Sequence, residues 1–148
     1  MFDSPPNKSI VFTVPGNPTA LKRHRTFQRG DFHGIYDPSK GDKSDFLAKA
    51  MSFKPDVPLD EPLMVKLSFY FQRPKAHYGT GKNAHVLKES APTWHTKTPD
   101  VDNVCKFIFD SFNKIFWRDD SIICHIVAIK MYSENPRILI QINTLKNE

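Results

Sequence analysis

The chain of 148 residues carries a formal net charge of +5, with twelve phenylalanines, twelve prolines, six glycines and two cysteines. That length predicts one domain with room for a real core, and the phenylalanines are its principal filler. Cys105 and Cys124, far apart and outside any CxxC or Cys/His pattern, exclude a disulfide scaffold and a zinc module. No apolar run reaches the length needed to cross a bilayer.

The opening MFDSPPNKS (1–9) is polar and proline-bearing and is expected to fray, whereas IVFTVPG (10–16) joins β-branched and aromatic residues to a Pro-Gly stop and predicts a first strand. The following NPTALKRHRTFQRGDFHGIY has neither helical nor strand periodicity and reads as a basic loop or loose hairpin. It carries Lys22, Arg23, Arg25 and Arg29 among Phe27, Phe32 and Tyr36. A short helix is expected from Ser44 or Asp45, with Phe46, Leu47, Ala50 and Met51 on one side.

PLMVKLSFYFQR (62–73) sets Val65, Leu67, Phe69 and Phe71 against Met64, Lys66 and Ser68, the alternation of a strand with one better-buried face. Residues 74–97 form a long connection without a clear element, basic through Lys75, Lys82, Lys88 and Lys97, and a loop that long is usually functional or mobile. Beyond it Val104, Phe107, Ile108, Ser111, Phe112 and Ile115 recur at three- and four-residue steps, the stripe of a helix packed on a sheet. DDSIICHIVAIKMYS and PRILIQINTL then read as two strands whose short ENP link suits a hairpin. The whole predicts an α/β domain of the α+β type, a mixed sheet of four to five strands with two main helices.

A positive chain attracts polyanions, so nucleic acid is the first partner to consider, and a merely solvated basic surface is the plainer alternative. No secretory leader precedes the first polar residues, and a cytoplasmic protein with reduced thiols is expected. Nothing in the sequence calls for a membrane or a small-molecule cofactor.

The chemistry gathers in TPDVDNVCKFIFDSF (98–112). Asp102 stands where the helical pattern starts, where a carboxylate suits the free N–H groups and the positive end of the helix dipole. Helix capping does not account for Asp100. If the backbone is extended as far as 102, Asp100 and Asp102 point to one side and repel unless a cation sits between them. A hard divalent ion, Mg²⁺ with Mn²⁺ as a substitute, takes such oxygen ligands. Lys106, one turn beyond Asp102, is either an ordinary helix ion pair or a cation beside a reacting phosphate. Asp119 and Asp120, at the end of FWRDD, suit a turn or a third metal ligand. A helix of 102–114 travels roughly 18 Å, so Asp120 returns to its start only if 115–119 runs nearly straight back. Failing that, a second subunit would have to supply the third carboxylate.

PDVDNVCKFIFDSF followed by FWRDDSIICHIVAIK resembles the RusA family of Holliday-junction resolvases. The shared pattern is D-x-D-N, a lysine three residues beyond the Asn, FD on the helix, and W-x-DD leading into a strand that ends in lysine. The resemblance implies a Mg²⁺-dependent homodimer on a compact α/β scaffold that makes paired nicks across a four-way junction. It gives Asp100, Asp102 and Asp120 the metal-binding catalytic role, Lys106 that of catalytic lysine, and Asn103 and Asp119 supporting positions. Lys22, Arg23, Arg25, Arg29 and the lysines of 74–97 would then draw in branched DNA. Two readings compete: a junction-binding module that does not cut, and a basic adaptor whose aspartates only cap helices.

Overall fold

The computed structural model describes residues 7–146. A mixed four-stranded sheet is built from β1 (Ser9–Pro15), β4 (Leu63–Gln72), β5 (Ile123–Ser133) and β6 (Arg137–Thr144), in the order β1-β6-β4-β5. A separate two-stranded ribbon pairs β2 (Arg25–Arg29) with β3 (Phe32–Tyr36), and the helices are α1 (Lys40–Ala50) and α2 (Val101–Phe112). This is the expected α+β architecture.

Strand alternation places the core. In β4 the odd-numbered Leu63, Val65, Leu67, Phe69 and Phe71 are buried, and in β6 the even-numbered Ile138, Ile140 and Ile142 join them. β6 pairs antiparallel with both β4 and β1. The stripe of α2 buries Val104, Phe107, Ile108 and Phe112. Between helices and sheet lies an aromatic stack in which Phe112 meets Phe116 at 4.1 Å and Phe46 at 5.3 Å between centroids. Each such ring is worth roughly 1.5–3 kcal/mol of burial. Trp117 is fully buried against Phe112 at the helix end, as its position just beyond the stripe leads one to expect.

The strand order and the start of α1 depart from the sequence expectation. β5 and β6 do not form a hairpin, because β4 lies between them, parallel to β5 and antiparallel to β6. The strongly apolar β4 takes the central place, and residues 134–136 need cover only two strand spacings, about 10 Å, which they reach easily. The parallel pair in turn requires a crossover, which α2 provides. α1 begins four to five residues earlier than expected. Asp37 accepts the Ser39 N–H at 2.9 Å, and the buried Ser39 hydroxyl accepts the Lys22 N–H at 2.8 Å. That local turn and the long-range bond to Lys22 fix the start of the helix, which has no side-chain cap bond.

The expected fraying of 1–9 falls mainly on residues outside the described ones. Of the rest, Lys8 donates its N–H to Thr144 Oγ1 at 2.8 Å and Ser9 opens β1. Residues 74–97 are likewise not featureless. Short 3-10 turns at Lys75–His77 and Gly81–Asn83 are followed by a stretch along β5, where His95 N–H meets Lys130 O at 3.1 Å and Thr93 O accepts from Tyr132 N–H at 2.9 Å. The buried His95 ring stacks on Phe71 at 3.8 Å.

Candidate active site at the head of helix α2

Extended backbone ends at Asp100, whose ψ is 153°, and the helix begins at Val101. Asp100 is therefore the N-cap, and Asp102 lies in the first turn rather than beside it on an extended segment. The alternation that would have aligned the two carboxylates does not hold. The helix start itself keeps both acids at the positive end of the dipole. Asp100 occupies the cap position without making a side-chain cap bond. A cap aspartate ordinarily adds about 1 kcal/mol by making that bond.

Two open hollows meet at Asp100. One, of about 530 Å³, is lined by Asn17, Thr19, Thr98, Pro99, Asp100 and Asn103 among others. The second, of about 520 Å³, runs from Asp100 and Val101 past Lys97 and Trp94 to Lys130. Asn103 lines the first of these hollows together with Asp100. Lys106 Nζ lies 3.9 Å from Asp102 Oδ2, with both side chains well exposed, so this pair is held loosely and is free to rearrange. Cys105, between these groups, is pushed up to about 11 by burial and by the Asp102 charge, so its thiol stays protonated at neutral pH.

In the sequence Lys130 stands out only as the lysine that ends a strand pattern. Its ammonium donates to the carbonyls of Lys97, at 2.7 Å, and Pro99, so that β5 clamps the segment delivering Asp100. The signal in the sequence was a lone cation inside the apolar run IVAIKMY.

Asp119 and Asp120 lie elsewhere. The link after α2 pairs with Leu59, through Leu59 N–H to Phe116 O and Arg118 N–H to Leu59 O, both at 2.9 Å, and does not run straight back. Asp120 starts a single 3-10 turn before β5 and is exposed. From Ile123 to Lys130 the strand advances on the order of 20 Å, which sets Asp120 far down β5 from the clamp beside Asp100. Among the described residues no group of three or more His, Cys, Asp or Glu side chains is arranged to hold a metal ion. Asp119 accepts the Ser121 N–H at 3.1 Å. Hydrogen bonds from Ser121 come first among the causes that hold its carboxyl below the usual aspartate value, ahead of Asn113 and the Arg118 charge.

The cations expected to meet DNA are exposed: Lys22, Arg23, Arg25 and Arg29 on and before the β2–β3 ribbon, and Lys75, Lys82, Lys88 and Lys97 along the 74–97 segment. Lys22 is partly occupied by Asp42, at 3.8 Å. Among the described residues no helix is long and apolar enough to cross a membrane.

Two comparisons bear on this arrangement. The protein YqaN of Bacillus subtilis (strain 168), itself uncharacterized, is 31% identical over 136 residues, which cover 90% of this chain and 94% of YqaN. The family described as Endodeoxyribonuclease RusA matches residues 15–143, from the end of β1 nearly to the end of β6 and across every acid discussed above. The chain belongs to the RusA family of endodeoxyribonucleases.

Proposed function

We propose that this protein is a metal-dependent endodeoxyribonuclease that resolves four-way (Holliday) DNA junctions by paired, symmetric nicks. The observation that carries the reading is Asp100, a carboxylate in the cap position that leaves the cap bond unmade and faces two open hollows at the head of α2. Family membership supplies the reaction class.

The donor set fits a hard cation, since Asp100, Asp102 and Asp120 are exposed oxygen ligands. These three carboxylates would hold Mg²⁺, or Mn²⁺ in its place, which when bound supplies Lewis acidity to a water and offsets charge on the phosphate. Lys106, loosely paired with Asp102, turns to the phosphodiester and neutralises the charge that grows during displacement. Asn103 lines the same hollow as Asp100 and orients the strand, and Asp119 stiffens the turn that presents Asp120.

The protein acts as a homodimer in this proposal, because a two-fold enzyme matches a substrate in which two related strands are cut. Asp120 of the partner subunit completes each site. The length of β5 between Asp120 and Lys130, together with the backward pairing of the preceding link on Leu59, favours this over closure within one chain. Lys22, Arg23, Arg25, Arg29 and the lysines of 74–97 bring in the phosphate backbone, with an affinity that falls steeply with salt.

The test is a labelled four-way junction incubated with and without Mg²⁺, alongside Asp102→Asn. Symmetric nicks that need the metal and drop at least about a hundredfold in the variant are expected. A wild-type protein that binds the junction but leaves it whole would instead be a non-cleaving junction-binding module.

A further inference from the structure

Among the described residues the β2–β3 ribbon pairs only with itself and forms a sheet separate from the four-stranded one. An isolated two-stranded ribbon is marginal in water, so one that presents large aromatic rings to solvent calls for a physical reason. Phe32 is 62% exposed and Tyr36 44% exposed.

The register puts these rings on one face. Arg25 lies opposite Tyr36, Phe27 opposite Gly34 and Arg29 opposite Phe32, and cross-strand partners share a side. Phe27 is central, with Phe32 at 5.9 Å and Tyr36 at 6.1 Å between centroids, and the Arg29 guanidinium 5.8 Å from its own centroid. Gly34 makes the arrangement possible, since a Cβ there would lie 2.4 Å from Phe27 Cζ. The Phe27 ring thus lies across bare backbone, and the face is a low platform of three rings bracketed by two arginines.

We infer that this aromatic and arginine face of the β2–β3 ribbon is a stacking platform for unpaired nucleobases, and that it lets the protein prefer branched or single-stranded DNA over plain duplex. This rests on the nuclease reading above and adds the part of the substrate that the ribbon recognises. Arginines alone hold any duplex through its phosphates and so carry no preference. Aromatic rings gain only where a base offers its flat face, which a closed duplex hides and a crossover or single strand exposes. The charge on and beside the ribbon, from Arg23, Arg25 and Arg29, favours a polyanion as the occupant over an apolar protein surface.

The experiment measures binding of the full chain, in chelator so that nothing is cut, to a four-way junction, a single strand and a duplex. Phe32→Ala and Tyr36→Ala are each expected to weaken junction and single-strand binding about tenfold, with duplex affinity within about twofold of wild type. Gly34→Val, which displaces the Phe27 ring, should follow the same pattern. Arg25→Gln should weaken all three substrates. These ribbon residues lie outside the core, so the variants are expected to keep the wild-type melting temperature.

Equal losses on all three substrates in the aromatic variants, or no loss, would overturn the inference. So would a dimer that becomes a monomer on sedimentation, which would make the face a contact between copies. The two proposals fail separately. Junction cutting in Mg²⁺ with aromatic variants that bind normally removes only the platform, and base-dependent binding without any cutting removes only the nuclease.

Discussion

His95 shows how one side chain ties the long connection to the sheet. Its ring is buried between Phe71 and Tyr132 while its Nδ1 has no hydrogen-bond partner among the described residues. Burial first, and the neighbouring Lys130 charge second, hold its imidazole below the ordinary histidine value of 6.5. The unfolded chain then binds the proton more readily than the folded one, so this residue's contribution is present above pH 6.5 and is lost on acidification below it. Replacing His95 with Phe keeps the stacking and removes both the orphaned nitrogen and the titration. Thermal melts of His95→Phe should equal or exceed wild type at neutral pH. Between about pH 5 and 6.5 the variant should lose less stability than wild type does, and an unchanged pH dependence would show that another group is responsible.

At the scale of elements, α2 does two jobs with two faces. Its inner face fills the core and its N-terminus offers the acids, so the position of Asp100 depends on how firmly the far end is anchored. Phe112 is that anchor, fully buried and in ring contact with Phe12, Phe46, Phe116 and Trp117. Phe112→Ala should cost about 3–5 kcal/mol in denaturant unfolding, because a cavity lined by rigid rings collapses poorly. The periodicity of α2 and the alternation of β4 were legible in the sequence because each burial pattern repeats over many residues. The start of α1 was not, since it depends on the Ser39 hydroxyl meeting the Lys22 backbone seventeen positions away.

Lys43 makes a comparable tie between elements. It bridges Asp37, at the exit of β3, to Asp110 on α2, the latter at 3.0 Å. Burial opposes its charge, yet the hydrogen bonds it donates to both carboxylates hold its ammonium above the usual lysine range. The ribbon and both helices are thereby joined across their solvent edges.

For the proposed homodimer the decisive question is which chain supplies the third carboxylate of each proposed site. Mixed dimers of Asp102→Asn and Asp120→Asn chains answer it. In the shared arrangement a heterodimer has one intact site and one doubly impaired, so single-strand nicking should return although neither homodimer cuts. A mixture as inactive as its parents would mean that each site draws all its acids from one chain.

The sequence by itself determined what is written locally. The apolar stripe of α2, the buried face of β4, and the D-x-D-N and DD patterns that carry the resemblance to the family all rest on spacing within a few residues, where backbone geometry converts order directly into direction. Only the tertiary structure decided that β4 separates β5 from β6, that Lys130 clamps the approach to Asp100, and that Asp120 sits far down β5 from that clamp. Those facts follow from competition among distant segments for one core and for each other's hydrogen bonds. No local pattern records the outcome of that competition.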